Sequence, residues 1–290
     1  NHIKTYFLIA AICFIAPMSF AQSADEIIDG YFEATGGRDA WSKVENVKIY
    51  AKVDQGGMEI PLEIVQSKDG KSYTKVSVQG LNIMQGVYDG ETLWNTNFQT
   101  MKPEKATSED LANHKATLGD FPDALFNYKK NGYTTELIGK ESFDGTEAYK
   151  IKITKKPIIV DGAEVDNVEF YFFDTESMVV LGSESLMTSG PMKGKTAQSK
   201  MSEYDEVDGL YFPFSMSQGE RDGMSQAIKI DKIETNVDID ESLLTFPAAP
   251  SMTAPTAPAA AAPTTAPTKG APTTAPIKKK ASTTAPSGNN

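Results

Sequence analysis

Two hydrophobic periods divide this chain. Ala24, Ile27, Ile28 and Tyr31 recur at the spacing of one helix face, and Ser23-x-x-Glu26 places a capping box before them. Gly36-Gly37 stops that helix, and Trp41 with Val44 suits a short second one. From Val47 the period becomes two. Met58, Ile60, Leu62 and Ile64 alternate with Glu59, Pro61, Glu63 and Val65. Tyr149, Ile151 and Ile153 alternate with Lys150, Lys152 and Thr154. Leu210, Phe212, Phe214 and Met216 alternate with Tyr211, Pro213 and Ser215, and Ile228 and Ile230 with Lys229 and Asp231. This pattern predicts antiparallel strands with one wet face. Proline cannot donate to a ladder, so Pro61 and Pro213 are expected at an edge or a bulge.

Beyond Asp29-Gly30 in the first helical pattern, Asp-Gly occurs six times, beginning at Asp69, Asp89, Asp144, Asp161, Asp208 and Asp222. The pair accepts the positive φ of tight hairpin turns, so the spacing predicts an up-and-down meander. One stretch breaks it. Thr107-Ser108-Glu109-Asp110 starts a helix that Gly119 ends. Phe121, Leu125 and Tyr128 then predict another, with Pro122 in its first turn and Asn131-Gly132 closing it. Three helices can cover one face of a large sheet but cannot build a βαβ fold.

The ends follow neither period. In residues 1–21, Lys4 precedes the apolar run Phe7 to Ala16, and Ser19-Phe20-Ala21 forms a cleavage site, so they read as a secretion signal. Residues 248–290 hold eight of the 16 prolines, repeat Thr-Thr-Ala-Pro, and contain no aromatic or acidic residue. They read as a disordered Pro/Ala/Thr-rich tether. A domain of residues 22–247 remains. Of the 28 basic and 39 acidic residues of the 290-residue chain, this body holds 23 and 39, a formal charge of −16 against +4 for the tail. Such a body lacks the basic face that nucleic acid requires. No segment beyond the signal is apolar enough to span a membrane. A bacterial periplasm is the expected location.

Chemistry is sparse. Cys13 lies in the signal, and beyond it His114 is the remaining histidine, so a His/Cys zinc site cannot form within one chain. His114 lies on a polar helix and is expected at the surface. Gly190-Pro191-Met192-Lys193-Gly194-Lys195-Thr196 has three residues between its glycines where a phosphate-binding loop needs four, and strand rather than helix follows. Carboxylate pairs such as Asp238/Asp240 and Glu203/Asp205 read as strand neighbours. No cofactor or metal motif is present. The apolar strand faces remain, together with ten methionines beyond the signal, which suit an adaptable surface. The candidate lining of an apolar ligand cavity is Ile60, Leu62, Ile64, Ile83, Phe126, Phe170, Phe172, Leu181, Phe212, Phe214 and Met216.

The segments Ala24-Asp25-Glu26-Ile27-Ile28, Glu33 to Gly37 and Tyr88-Asp89-Gly90-Glu91-Thr92-Leu93-Trp94 recur in order with Tyr128 to Gly132, Leu137 to Glu141, Asp144-Gly145 and Tyr204 to Pro213. Together they resemble the LolA-like outer-membrane lipoprotein-sorting proteins of Bacteroidetes. The resemblance covers nearly all of 22–247. It implies an unclosed antiparallel β-barrel of about eleven strands, with the N-terminal helix and the 108–130 helices as a lid over its mouth. It also implies a non-catalytic carrier or chaperone for acyl chains of lipoproteins or lipids, without cofactor. The better-known carriers use a barrel arginine to hold the lid. Here the body has Arg38 and Arg221, near a helix start and in a turn, and neither matches it. The competing readings are an envelope adaptor that docks a protein partner and a hydrolase acting through carboxylates.

Overall fold

A computed structural model describes residues 22–188 and 193–247. The signal and tail segments lie outside the described residues, as does part of the Gly190–Thr196 loop. The chain opens with helices α1 (Ala24–Ala34) and α2 (Arg38–Trp41). Strands β1 (Asn46–Gln55), β2 (Met58–Ser67), β3 (Ser72–Val78), β4 (Leu81–Tyr88), β5 (Leu93–Thr96) and β6 (Pro103–Lys105) follow. Helices α3 (Ser108–Ala116) and α4 (Tyr128–Asn131) interrupt. The rest is β7 (Thr134–Phe143), β8 (Thr146–Thr154), β9 (Ile158–Val160), β10 (Ala163–Val165), β11 (Val168–Asp174), β12 (Val180–Leu186), β13 (Thr196–Val207), β14 (Leu210–Glu220) and β15 (Ser225–Thr235).

Thirteen strands form one antiparallel sheet, and β9 and β10 form a separate hairpin. The order β6-β5-β4-β3-β2-β1-β15-β14-β13-β12-β11-β8-β7 contains two meanders joined where β1 pairs with β15. The edges β6 and β7 are not paired with each other, so the sheet is unclosed, as expected, with more strands than the eleven implied. Each of the six Asp-Gly pairs lies between successive strands. Asp144-Gly145, Asp161-Gly162 and Asp208-Gly209 have positive φ at both positions, the geometry that matches strand twist. Pro61 and Pro213 each lie opposite one ladder partner, outside the stretch that pairs on the strand's other side. Glu203 and Phe214 are unpaired beside Pro213 with the register otherwise constant, so neither proline removes a needed donor.

The sheet buries both faces. On the face termed inner here, α1 lays down Ile27, Ile28, Tyr31 and Phe32, joined by Trp41, Leu125 and Tyr128. Ile151, Phe173, Phe212, Ile230 and Ile233 meet them from the strands. Burial of each large side chain contributes about 2 kcal/mol, which fixes α1 to the sheet. Ser23 and Glu26 complete the capping box. Gly36 lets the exit of α1 lie directly on the β13–β14 turn, because a Cβ there would collide with the Gly209 carbonyl. On the opposite face, Val65, Tyr73, Met84, Val87 and Trp94 form a second cluster, closed by Leu244, Ile239, Leu243 and Phe246.

Two helical expectations change. Residues 121–127 are not a helix. The Leu125 amide donates to Asp123 Oδ1 at 2.7 Å, and Asn127 Nδ2 donates to the Phe121 carbonyl at 2.9 Å. These side chains capture the backbone groups a helix would use. Helix α3 buries no residue. Its Asn113 instead bonds both polar groups of the Ile159 backbone in the β9–β10 hairpin, each at 2.7 Å. The cover over the inner face is therefore α1, α2 and residues 118–131, with α3 set against the hairpin. No helix among the described residues is long and apolar enough to cross a membrane.

Candidate functional site

The cover is held by polar latches laid over an apolar base. Arg38 Nε and Nη2 donate to Asp29 Oδ1 at 3.0 and 2.8 Å, and Nη1 donates to the Phe126 carbonyl at 3.1 Å. Its guanidinium lies 4.4 Å from the Phe32 ring centroid and 5.6 Å from that of Phe126. Tyr128 Oη donates to Asp25 Oδ1 at 2.6 Å, beside a Lys129–Asp25 pair at 2.7 Å. Trp41 Nε1 donates to Thr35 Oγ1 at 3.1 Å, and the Tyr211 amide donates to the Thr35 carbonyl at 3.0 Å. One arginine on α2 thus ties α1 to the 121–127 segment. Its sequence position gave no signal of this, because the Asp29 and Phe126 contacts exist only after folding. Arg221 pairs elsewhere, with buried Glu184 at 3.1 Å.

The expected lining residues divide into three groups. Leu62, Phe126, Phe212, Phe214 and Met216 belong to the inner-face cluster, all but Phe212 only partly buried. Phe126 also lines a groove of about 380 Å³ with Trp41, Val44, Leu118 and Phe121. Ile60 and Ile83 are buried outside the three main clusters and Ile64 is half-buried. By cross-strand register Ile60 faces Val53, and Ile64 faces Ile49.

Phe170, Phe172 and Leu181 do not join them. They form a separate cluster with Phe143 and Ala148, in which Phe143 stacks on Phe172 at 4.3 Å. Phe173, one residue on, lies in the inner cluster, so Phe172 projects to the other side of the sheet. A one-residue register shift between Phe172 and Phe173 on the β11–β12 ladder displaces Leu181 as well. A run of consecutive aromatics such as Phe170 to Phe173 does not reveal which members face inward.

Across neighbouring strands the register builds an apolar row: Ile60–Val53–Ile228–Met216–Met201. Its last three members pack on the inner cluster yet keep exposed area. The next row changes character. It runs Gln226–Gln218–Ser199–Ser183–Tyr171–Ile151. Ser183, Ser185, Ser199, Gln218 and Glu169 line a cleft of about 370 Å³.

Sequence reasoning missed the ionisable groups beneath the cover. Asp123 is half-buried in the 118–131 segment of the cover. Burial pushes its carboxyl up to about 6, and the charges of Glu169 and Asp120 act in the same direction. Tyr31, Tyr171 and Tyr204 all lie within its electrostatic reach. Glu169 pairs with Lys155 at 2.9 Å, and Asp120 accepts from Tyr133 Oη at 2.7 Å. His114 also departs from expectation. It is half-buried, its ring packs 4.5 Å from Tyr88, and its enclosed Nε2 has no hydrogen-bond partner. Desolvation lowers its pKa. The described residues hold no group of three or more His, Cys, Asp or Glu able to bind a metal.

Neither a protein-family model nor a curated protein matches the chain. Solved structures do resemble it. A LolA superfamily protein from Nitrosomonas europaea is 14% identical, with a TM-score of 0.47, over 78% of this chain and 98% of that one. A DUF1329 family protein from Desulfovibrio piger is 16% identical, with a TM-score of 0.46, over 74% of this chain and 95% of that one. A candidate outer membrane lipoprotein-sorting domain from Vibrio parahaemolyticus is 10% identical, with a TM-score of 0.44, over 75% of this chain and 94% of that one.

Proposed function

We propose that this protein is a non-catalytic periplasmic carrier that takes acyl chains of lipids or lipoproteins onto the inner face of its sheet. In this reading residues 1–21 direct export, 22–247 carry the ligand, and 248–290 form a tether. The observation that supports it is the apolar row Ile60–Val53–Ile228–Met216–Met201, which the helices leave incompletely covered. A continuous greasy strip with flexible methionines favours flexible hydrocarbon and offers no reacting group. Displacing the Arg38-latched cover would lengthen the strip toward Phe212 and Phe214.

Mass spectrometry of lipid extracted from the purified protein, with displacement of a fluorescent fatty acid, tests this. Bound lipid and saturable displacement are expected, and Phe214→Asp should abolish both while circular dichroism stays unchanged. Absence of lipid and of fatty-acid binding would remove the proposal in favour of an envelope adaptor. The carboxylates Asp123 and Glu169 give the hydrolase reading one supporting observation. However, Lys155 pairs with Glu169 at 2.9 Å, so these two carboxylates are not a free pair. Ester hydrolysis lost in Asp123→Asn would revive it.

A further inference from the structure

Neighbouring strands of the large sheet are antiparallel throughout, so successive turns alternate between its two ends. The end where β1 passes to β2, termed distal here, also holds the β3–β4, β5–β6 and β14–β15 turns and the last residues of β12. Six of the eight large apolar side chains that stay exposed among the described residues lie there: Met58, Leu81, Phe98, Met101, Leu186 and Met224. Met224 is 92% exposed, Phe98 66% and Leu81 58%. The proximal end has one, Tyr211, and Ile138 lies along edge strand β7. Charge divides the ends in the same sense. The proximal turns carry Asp69, Asp89, Glu91, Asp144, Glu176 and Asp208 against Lys68 and Lys71, whereas the four distal turns carry Lys102 and Arg221 against Asp222. A body of formal charge −16 thus has one end that is greasy and nearly neutral. The helical cover meets the sheet at the other end, where Gly36 abuts the Gly209 carbonyl, Gly70 abuts Leu118 and His114 packs on Tyr88.

We propose that the distal end is a bilayer-docking edge, at which Met58, Leu81, Phe98 and Met224 enter the interface of a lipid membrane. These side chains stand on separate turns and strand ends, so they form projecting tips and not one pocket. A protein covering them must supply a matching hollow for each, whereas hydrocarbon deforms around all of them. The charge pattern fixes the approach, because the acidic proximal end is repelled by an anionic surface and the distal end is not. The tips also lead inward. Met58 shares the inner face with Ile60, and Leu81 with Ile83, each two positions back along its strand. Ile60 begins the apolar row, and Ile83 continues through Val76 to Leu62 of the inner cluster. Roughly 7 Å of strand therefore separates a docked tip from the acyl-chain strip. Docking itself goes beyond the carrier reading, while passage of a chain from bilayer to row rests on it.

The test is co-sedimentation of residues 22–290 with phosphatidylcholine vesicles. Residues 1–21 are omitted because the run Phe7 to Ala16 would enter a bilayer by itself, and the described core runs from Ala24 to Leu244. Weak, reversible binding is expected. The triple variant Leu81→Asp, Phe98→Asp, Met224→Asp should lower it about tenfold. The control Ile138→Asp, Tyr211→Asp removes the exposed apolar side chains outside the distal end and should change it less than about twofold. All five positions are exposed, so both variants should keep the circular dichroism of the unaltered chain. Replacing half the lipid with phosphatidylglycerol should weaken binding at low salt, because the acidic body is repelled. Tighter binding to those vesicles would overturn insertion of apolar tips. Equal losses in the two variants would overturn the edge, and absence of sedimentation would overturn it in favour of a protein partner. Fatty-acid displacement in solution should be the same in both variants, and its absence would remove the carrier without touching the docking edge.

Discussion

Both faces of the sheet are closed by segments distant in sequence, yet the closures differ in kind. On the inner face, α1, α2 and residues 118–131 rest on apolar side chains but are tied by charged groups at their rim, chiefly Arg38 to Asp29 and Phe126. They carry a half-buried ionisable group, Asp123. On the opposite face, residues 236–247 seal a dry cluster. Trp94 Nε1 donates to the Leu244 carbonyl at 2.9 Å, and Asn46 exchanges two bonds with the Val237 backbone, both at 2.9 Å. The carboxylate bordering this second cluster, Glu63, is fully matched: Tyr73 Oη and Lys75 Nζ each approach at 2.6 Å, and Lys48 Nζ at 3.0 Å. The first closure combines greasy contact with rim latches that water can replace. The second carries an exposed charged pair, Lys71 to Glu241 at 2.6 Å, but rests mainly on apolar packing, so opening it exposes apolar surface with little gained in return.

The largest effect should come from the dry side. Trp94→Ala should cost about 4 kcal/mol in urea unfolding; a loss below about 1 kcal/mol would mean that residues 236–247 are not a structural seal. The two carboxylates should give opposite pH dependences. Asp123 keeps its proton in the folded state up to about 6, whereas the unfolded chain releases it near 4. Folding is therefore favoured below that window and loses about 3 kcal/mol as pH rises through it. Asp123→Asn should remove this fall and raise stability near neutral pH, as read by urea midpoints across pH. Glu63 is the reverse. Although burial opposes ionisation, bonds from Lys75, Tyr73 and Lys48 hold it down to about 2. Its contribution is complete above the unfolded value near 4.3 and disappears as pH falls toward 2, and Glu63→Gln should cost about 2 kcal/mol at neutral pH. Smallest in global terms is Arg38→Ala, at about 1 kcal/mol. Its signature is local: amide exchange should accelerate in α1 and residues 121–127 and stay unchanged at β4 and β5. Uniform acceleration would mean that the cover is no more separable than the seal.

The sheet was legible because its signals are local. Alternation at β2, β8 and β14, the six Asp-Gly turns and the Ser23–Glu26 box each depend on residues a few positions apart. Five of the expected lining residues, Leu62, Phe126, Phe212, Phe214 and Met216, pack at the inner cluster for the same reason. Phe170, Phe172 and Leu181 went astray where alternation fails: four consecutive aromatic residues and a register shift hide the facing. Asp123 lay in a segment expected to be helical and His114 was expected at the surface, because the packing that desolvates each forms only in the fold. His114 packs on Tyr88 from β4.

By itself the sequence determined the strand-and-turn grammar, the helix that precedes it and the acidity of the body. Backbone propensity, turn φ angles and side-chain period act over a few residues and need no tertiary context. Only the tertiary structure decided that β1 joins β15, which brings the two meanders into one sheet and gives it two buried faces. The same pairing aligns Ile228 with Val53 and so makes the apolar row continuous. The desolvation of Asp123 was likewise decided there. Long-range pairing and desolvation depend on which surfaces meet, and that is fixed by the packing of the whole domain.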